Sequence, residues 1–181
     1  MTSNSKVTSQ KAELFHRRIE EAERIAISGH INPDGDCVGA CLGLYTYILD
    51  LHPEKDVDLL LEPVSSKFHF LKYADRIAQE KEGEGSYDLY ISLDCSDEER
   101  LGPFRTYFAD AEYKICVDHH ISNQGFGDLT FIDAEASSTC EVLYDIFEEE
   151  KITFDTAQCL YLGIVHDTGV FKHSNTTRKV M

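Results

Sequence analysis

The sequence predicts an α/β fold, a doubly wound, mainly parallel five-stranded sheet with helices on both faces. Two observations predict it. Predicted strands alternate with predicted helices along the chain, and the strands are continuous apolar runs, such as RIAIS and YDLYISL, rather than alternating patterns. Such strands are buried on both faces, as in a parallel sheet covered by helices. The 181 residues suit one domain.

Each predicted element has its own local signal. The apolar runs that we interpret as strands are residues 24–28, 56–61, 87–93, 113–117 and 129–132. Helical patterns cover residues 11–23, 37–50, 103–111, 138–150 and 157–166. The second of these is apolar around its whole circumference, which predicts a buried helix. Pro103 suits a helix start, and Ser137 or Ser138 suits a helix cap.

The charge balance is strongly acidic. Asp and Glu number 33 against 17 Lys and Arg, a formal net charge of −16. Such a field repels nucleic acid, so we expect no stable binding of duplex DNA or RNA. A polyanionic substrate would have to be attracted locally, by bound cations or by a second domain.

Targeting signals and disulfides are not expected. No stretch approaches ~18 consecutive apolar residues, and residues 1–10 lack the apolar core of a secretory signal, so we expect neither a membrane span nor export. The six cysteines lie mostly in apolar runs, without a C-x-x-C pair. This pattern favours reduced core thiols in a cytoplasmic protein over disulfides or a zinc site.

Acidic and imidazole side chains follow several of the predicted strands. Residues 29–36 (GHINPDGD) follow the first strand, Asp94 follows the third, and Asp118-His119-His120 follows the fourth. A further pair, His166-Asp167, follows the last predicted helix. Ligands of open α/β sheets bind at the carboxyl ends of the strands. We therefore expect five aspartates and up to three histidines to converge at one edge of the sheet.

This convergence predicts a metal centre. A single aspartate at such a position is commonly a helix cap or a turn former, and the segment NPDG taken alone is typical of a surface turn. A whole cluster of buried carboxylates needs cations, and few basic residues lie near these motifs. Carboxylates with a minority of imidazoles suit Mn²⁺, Mg²⁺ or Fe²⁺ better than structural zinc. Six candidate ligands fit two ions that share a bridging carboxylate, an arrangement suited to phosphoryl displacement.

Taken together, the motifs resemble one family. The segments HINPDGD (30–36), LD (93–94), DHH (118–120) and GIVHDTG (163–169) occur in the order of the DHH phosphoesterase family. The resemblance extends over residues 29–176. This family includes single-strand exonucleases, family II inorganic pyrophosphatases, cyclic-dinucleotide phosphodiesterases, and oligoribonucleases (nanoRNases) that also remove a phosphate from phosphoadenosine phosphate.

The resemblance implies a role for each candidate residue. One manganese ion would be held by His30, Asp34 and the bridging Asp94, and the other by Asp36, Asp94, His119 and Asp167. Asp118 would orient His119, as metal-bound imidazoles usually require. His120 would bind the substrate phosphate and is the candidate acid for the leaving group. Asn32 and Ser138 are candidate substrate contacts, and the segment ASST (136–139) resembles a helix start whose N–H groups support the site.

One expected feature is missing from the sequence. The resemblance implies a second, DHHA1-type domain with a glycine-rich, basic substrate-binding motif, whereas this chain contains no Gly-Gly and ends at Met181. We therefore expect residues 1–181 to be the catalytic DHH domain alone, with a naturally short protein as the alternative.

The function expected from the sequence is that of a cytoplasmic, manganese-dependent phosphoesterase, with Mg²⁺ or Fe²⁺ as possible substitutes. Its substrates would be short single-stranded oligoribonucleotides or small nucleotides such as phosphoadenosine phosphate, and a homodimer is compatible with this function. The lack of membrane and sensor segments argues against the membrane-anchored cyclic-dinucleotide enzymes. An inorganic pyrophosphatase or exopolyphosphatase of the same family is one alternative. A non-catalytic nucleotide-binding or regulatory module is another.

Overall fold

The computed structural model describes residues 7–81 and 85–181, which form a six-stranded sheet. The strands are β1 (Arg24–Ser28), β2 (Asp56–Leu60), β3 (Ile77–Ala78), β4 (Leu89–Leu93), β5 (Tyr113–Asp118) and β6 (Leu129–Ile132). Their order is β3-β2-β1-β4-β5-β6, and every pair of neighbours is parallel. The predicted α/β class and the predominantly parallel sheet are confirmed.

The sheet has one strand more than predicted. All five predicted strands are present, and the additional one is β3, which pairs with the last two residues of β2 at the edge of the sheet. A strand of two residues is too short to form the apolar run that identifies a strand in a sequence.

The described residues also form five α-helices, which cover both faces of the sheet. They are α1 (Ser9–Glu21), α2 (Gly35–Leu51), α3 (Arg105–Asp110), α4 (Thr139–Ile146) and α5 (Phe154–Asp167). One core cluster joins one face of the strands to apolar residues of α1, α2, α4 and α5. A smaller cluster joins the other face to α3 and to the 3₁₀ segment before it. This two-sided cover is the predicted doubly wound arrangement.

Two predicted helices differ from the observed ones, each for a local reason. The helix predicted at 103–111 begins only at Arg105, because Gly102 has a φ of 55° and interrupts the 3₁₀ segment in which Pro103 lies. The helix predicted at 138–150 ends at Ile146, where Phe147 turns to an extended conformation. The glutamates that follow therefore lie outside α4.

Close packing of α2 against α5 shapes the site. α2 is almost entirely buried, as predicted, and it has more contacts with α5 than with any other element. A Cβ atom on Gly39 would lie 2.6 Å from the Cys159 carbonyl oxygen, so a glycine is needed where the two helices meet.

The cysteines are core residues. All six are free thiols and all are buried, which confirms the prediction for their side chains. Within the described part of the chain, none of the helices has both the length and the apolar character that crossing a bilayer requires.

Candidate metal centre

The candidate site lies where three adjacent strands end. β1, β4 and β5 are neighbours in the sheet, and because they are parallel their carboxyl ends lie at the same edge. The loop after β1, the residue after β4 and the end of β5 supply most of the predicted ligands there, and α5 supplies Asp167 at its last residue. The predicted convergence at this edge is therefore observed.

His30 is positioned to offer one nitrogen to a cation. Its side chain is buried, and Nδ1 lies 2.7 Å from the Ile31 carbonyl oxygen. Since a carbonyl oxygen can only accept, Nδ1 carries the hydrogen, and once the ring gives up its second proton its lone pair lies at Nε2. That Nε2 lies 3.8 Å from Asp34 Oδ1 and 3.5 Å from Asp94 Oδ2. Burial lowers the pKa of His30, but the neighbouring carboxylates of Asp34 and Asp94 outweigh burial and raise it overall.

Asp34 has a structural task as well as a place in the site. It is the N-cap of α2, and its Oδ1 accepts hydrogen bonds from the N–H groups of Asp36 and Cys37. Although burial raises the pKa of Asp34, the nearby His30 ring and the Cys37 N–H lower it below its ordinary value. The side chain is half-exposed and faces His30.

Asp36, in the first turn of α2, is fully buried, and its carboxylate contacts the N-terminus of α4. Its Oδ2 accepts a hydrogen bond from the Thr139 N–H at 2.6 Å, and its Oδ1 accepts one from the Cys140 N–H at 3.1 Å. Burial, followed by the charges of Asp94 and Asp167, raises the pKa of Asp36 to about 8. Two backbone donors therefore do not compensate this carboxylate fully, and a nearby cation would.

Asp94 lies between His30 on one side and His119 with His120 on the other, and its Oδ1 is 3.7 Å from Nδ1 of His120. Oδ2 faces Nε2 of His30 at 3.5 Å, while Oδ1 faces Nε2 of His119 at 3.7 Å and accepts a hydrogen bond from the Thr139 hydroxyl at 2.9 Å. Asp94 has a φ of 57°, which is uncommon for residues other than glycine and is best tolerated by Asp and Asn. The residue is 98% buried, and this left-handed backbone conformation places Oδ2 towards His30 and Oδ1 towards His119.

His119 is surrounded by the other three ligands of the second predicted set. Its Nε2 lies 3.2 Å from Asp167 Oδ2, 3.7 Å from Asp94 Oδ1 and 3.9 Å from Asp36 Oδ2. Burial lowers the pKa of His119, but the bond to Asp167 and the charge of Asp36 raise it to about 9 overall. The structure thus brings together the residues of both predicted ligand sets, with Asp94 between them.

Asp118 has a different partner from the one expected. The resemblance placed it behind His119, whereas its Oδ1 lies 2.7 Å from Nδ1 of His120. Asp118 is fully buried, and the side chain of His120 is 39% exposed. Hydrogen bonding to Asp118 is the main cause of the raised pKa of His120. Asp118 therefore orients the neighbouring histidine through its Nδ1.

The two other predicted substrate contacts make hydrogen bonds outside the predicted ligand sets. The Ser138 hydroxyl is buried and caps α4 by accepting from the Glu141 N–H at 3.1 Å. Asn32 is exposed, has a φ of 54°, and donates its backbone N–H to Glu62. Ser138 is thus the cap that the sequence predicted, and its contact with a substrate stays a prediction.

Four residues besides the predicted ligands contribute to the site, and the sequence had indicated two of them, Thr139 through the segment ASST and His166 through the last motif. Thr139 holds two of the carboxylates, one through its N–H and one through its hydroxyl. Gly163 lets α5 approach, because a Cβ atom there would lie 2.5 Å from Asp36 Oδ1. His166 and Cys37 each complete a group of three possible metal-binding side chains, His166 with Asp34 and Asp167, and Cys37 with His30 and Asp94. The roles of Gly163 and Cys37 were missed, and a glycine between apolar residues of a helix was the signal available for Gly163.

With the geometry established, comparison with known proteins identifies the family. Residues 24–164 match the DHH family, N-terminal domain. The chain belongs to the DHH family.

Relatives with assigned names cover most of this DHH chain. A Bacillus subtilis protein named bifunctional oligoribonuclease and PAP phosphatase NrnA is 32% identical over 176 residues, which are 94% of this chain and 54% of that protein. An Enterococcus faecalis protein named probable manganese-dependent inorganic pyrophosphatase is 26% identical over 164 residues, 86% of this chain and 52% of that protein. The chain spans about half the length of the curated relatives it matches.

A solved structure supports the fold of the DHH chain. The crystal structure of an exopolyphosphatase-related protein from Bacteroides fragilis superposes with a TM-score of 0.84 at 24% sequence identity. The alignment covers 99% of this chain and 56% of that protein. The α/β architecture described above is therefore that of a known protein.

Proposed function

We propose that the chain is a manganese-dependent, two-metal phosphoesterase that hydrolyses short oligoribonucleotides or small phosphorylated nucleotides such as phosphoadenosine phosphate. In this proposal His30, Asp34 and Asp94 hold one ion. Asp36, Asp94, His119 and Asp167 hold the other. Family membership supports the general class, a DHH phosphoesterase.

The observation that carries the proposal is the placement of Asp94. Its two oxygens face two different histidine nitrogens, at 3.5 Å and 3.7 Å, and each histidine has further carboxylates around it. A carboxylate that serves two clusters in this way is suited to bridge two ions.

The donor set also fits divalent cations. Four aspartates and two histidines make up the two proposed ligand sets. In the described part of the chain, these aspartates form ion pairs with histidines. Histidine protons are a replaceable source of positive charge, since metal binding releases them. Carboxylate oxygens with imidazoles suit Mn²⁺ or Mg²⁺, and the buried cysteines are not needed.

Bound ions would activate water for attack on phosphorus and neutralise charge on the phosphate. The chain's own residues would do the rest. The hydrogen bond from His120 Nδ1 to Asp118 leaves Nε2 as the atom that can bind a phosphate oxygen or protonate the leaving oxygen. The N-terminus of α4 holds Asp36 in place through two N–H groups, so this ligand is fixed before substrate arrives.

The Bacillus subtilis relative favours the proposed substrate class, because its name specifies an oligoribonuclease and PAP phosphatase. A second candidate is inorganic pyrophosphate, favoured by the name of the Enterococcus faecalis relative. The acidic field of the chain disfavours longer polyanions and duplexes, which extend beyond the reach of the metal centre.

The test combines metal analysis with a substrate comparison. Elemental analysis should find close to two divalent ions per chain, and hydrolysis of phosphoadenosine phosphate, a diribonucleotide and pyrophosphate should be measured with Mn²⁺ and with chelator. Asp36→Asn should lose metal and activity, while Asp110→Asn, at an exposed position on α3, should retain both. Absence of bound metal would refute the proposal, and preferential hydrolysis of pyrophosphate would assign the second candidate instead.

A further inference from the structure

A buried amide lies behind the His120–Asp118 pair. Asn123, in the loop between β5 and β6, is 94% buried. Its Nδ2 donates to Asp118 Oδ2 at 2.8 Å and to the Cys95 carbonyl oxygen at 2.8 Å. Cys95 directly follows Asp94. One side chain therefore connects the carboxylate that orients His120 with the segment that presents Asp94.

The orientation of this amide is determined by its neighbours. Two acceptors, a carboxylate and a carbonyl oxygen, lie on its nitrogen side. On the other side of the amide, Oδ1 accepts a hydrogen bond from the Gly125 N–H at 2.7 Å. The backbone N–H of Asn123 separately donates to the His120 carbonyl oxygen at 3.1 Å. A flipped amide would place an oxygen against both acceptors, so only one orientation satisfies all these partners.

We propose that Asn123 is a positioning residue whose amide holds the Asp118 carboxylate in place and, through it, directs Nε2 of His120 towards the substrate phosphate. The inference rests on the proposed function, because His120 needs a fixed direction only if it meets a substrate. Asp118 has two oxygens and two partners: Oδ1 receives the His120 ring and Oδ2 receives the amide. Without the amide, the carboxylate can rotate about its last bond, and the ring follows it.

The mechanism of this positioning makes a specific kinetic prediction. His120 Nε2 would give its proton to the oxygen that leaves phosphorus as the P–O bond breaks. A p-nitrophenolate leaves readily without that proton, whereas a poorly acidic phenol depends on it. Methyl p-nitrophenyl phosphate and methyl phenyl phosphate form such a matched pair, and both are small enough to need few contacts beyond the metal centre.

The experiment compares Asn123→Ala, Asn123→Asp and the adjacent control Gln124→Ala, whose side chain is exposed and donates a hydrogen bond to the Ser122 carbonyl oxygen. With Mn²⁺ bound, we expect both Asn123 variants to lose about 10²-fold or more in kcat on the phenyl ester. Loss on the nitrophenyl ester should be only a few-fold, and metal content should be unchanged. Equal losses on both esters, or none on either, would overturn the proposal.

A second measurement needs no turnover. In NMR spectra of the ¹⁵N-histidine-labelled parent with Mg²⁺, the His120 ring should carry a hydrogen on Nδ1. The His120 signal is the one that is missing in the His120→Asn variant. In Asn123→Ala that Nδ1–H signal should broaden or shift, while the His119 signal stays in place. An unchanged His120 signal would refute the positioning role. A parent that hydrolyses neither ester, together with this shift, would count against the proposed function and not against the positioning.

Discussion

Replacing Asp94 with asparagine should remove both metal sites at once. Asparagine keeps the shape of the side chain and tolerates the left-handed backbone, with its φ of 57°, as well as aspartate does. It cannot supply a charged oxygen to each of the His30 and His119 clusters. Asp34→Asn is the matched control: asparagine is as good an N-cap for α2, and Asp34 belongs to the first proposed ligand set alone, the one around His30.

The size of the effect follows from binding linkage. An ion present at 100 times its dissociation constant stabilises the folded state by about 2.7 kcal/mol, so two independent sites give about 5 kcal/mol. For a chain of this length, that corresponds to roughly 10–20 °C in Tm. Asp94→Asn should lose nearly all of this shift, whereas Asp34→Asn should lose about half.

Without metal, the two variants should resemble the parent. In Asp94→Asn, lost attraction to His30 and His119 opposes the relief of repulsion from Asp36, so we expect a change within about 1 kcal/mol, or roughly 2–4 °C in Tm. The assay is thermal melting in chelator and in saturating Mn²⁺, with stoichiometry measured by calorimetry. An Asp94→Asn protein that keeps as much Mn²⁺-dependent stabilisation as Asp34→Asn would refute the bridging assignment.

Three further predictions follow from the same geometry. In chelator, the free energy of unfolding should fall as pH rises from about 5 to 9. The reason is that the pKa values of Asp36 and His119 are raised in the folded chain, to about 8 and about 9, so the unfolded chain releases these protons at lower pH. A flat profile of Tm against pH would contradict this. Thr139→Val should weaken Mn²⁺ binding about 10–100-fold by removing the hydroxyl bond to Asp94, while Thr139→Ser should retain the affinity measured by calorimetry. The 181-residue chain should cleave a diribonucleotide at least about 10²-fold more slowly than the Bacillus subtilis relative, because few cations near its site can position a phosphate; equal rates would place the whole substrate site within this chain.

The sheet and the metal cluster were predictable because their signals are contiguous in sequence. Asp94 directly follows an apolar strand, and so does the segment that contains His119. The carboxyl ends of parallel strands lie at one edge, so polar residues after adjacent strands have to meet there. No long-range side-chain geometry is needed for that step, which explains why both ligand sets converge as expected.

The supporting contacts were not predictable for the opposite reason. Thr139 reaches Asp94 across 45 residues of sequence, through the packing of α4 against the site. Asn123 reaches the Cys95 carbonyl across 28 residues. Whether Asp118 orients the first or the second histidine after it depends on side-chain rotamers, and a motif of consecutive residues does not specify these. The sequence therefore indicates which residues could be ligands, and the packing decides what holds each of them.

The acidity of the chain and the metal centre are parts of one electrostatic arrangement. A net charge of −16 repels a phosphate from most of the surface, and His120 is half-exposed with one nitrogen already bound to Asp118. Divalent ions between His30, His119 and the surrounding aspartates would create a localised positive region in this field. A substrate with one or two phosphates can place all its charge there, whereas each further phosphate of a longer strand would lie against acidic surface. This asymmetry favours short nucleotides, and it predicts that the rate advantage of short over long substrates shrinks as added salt screens the field.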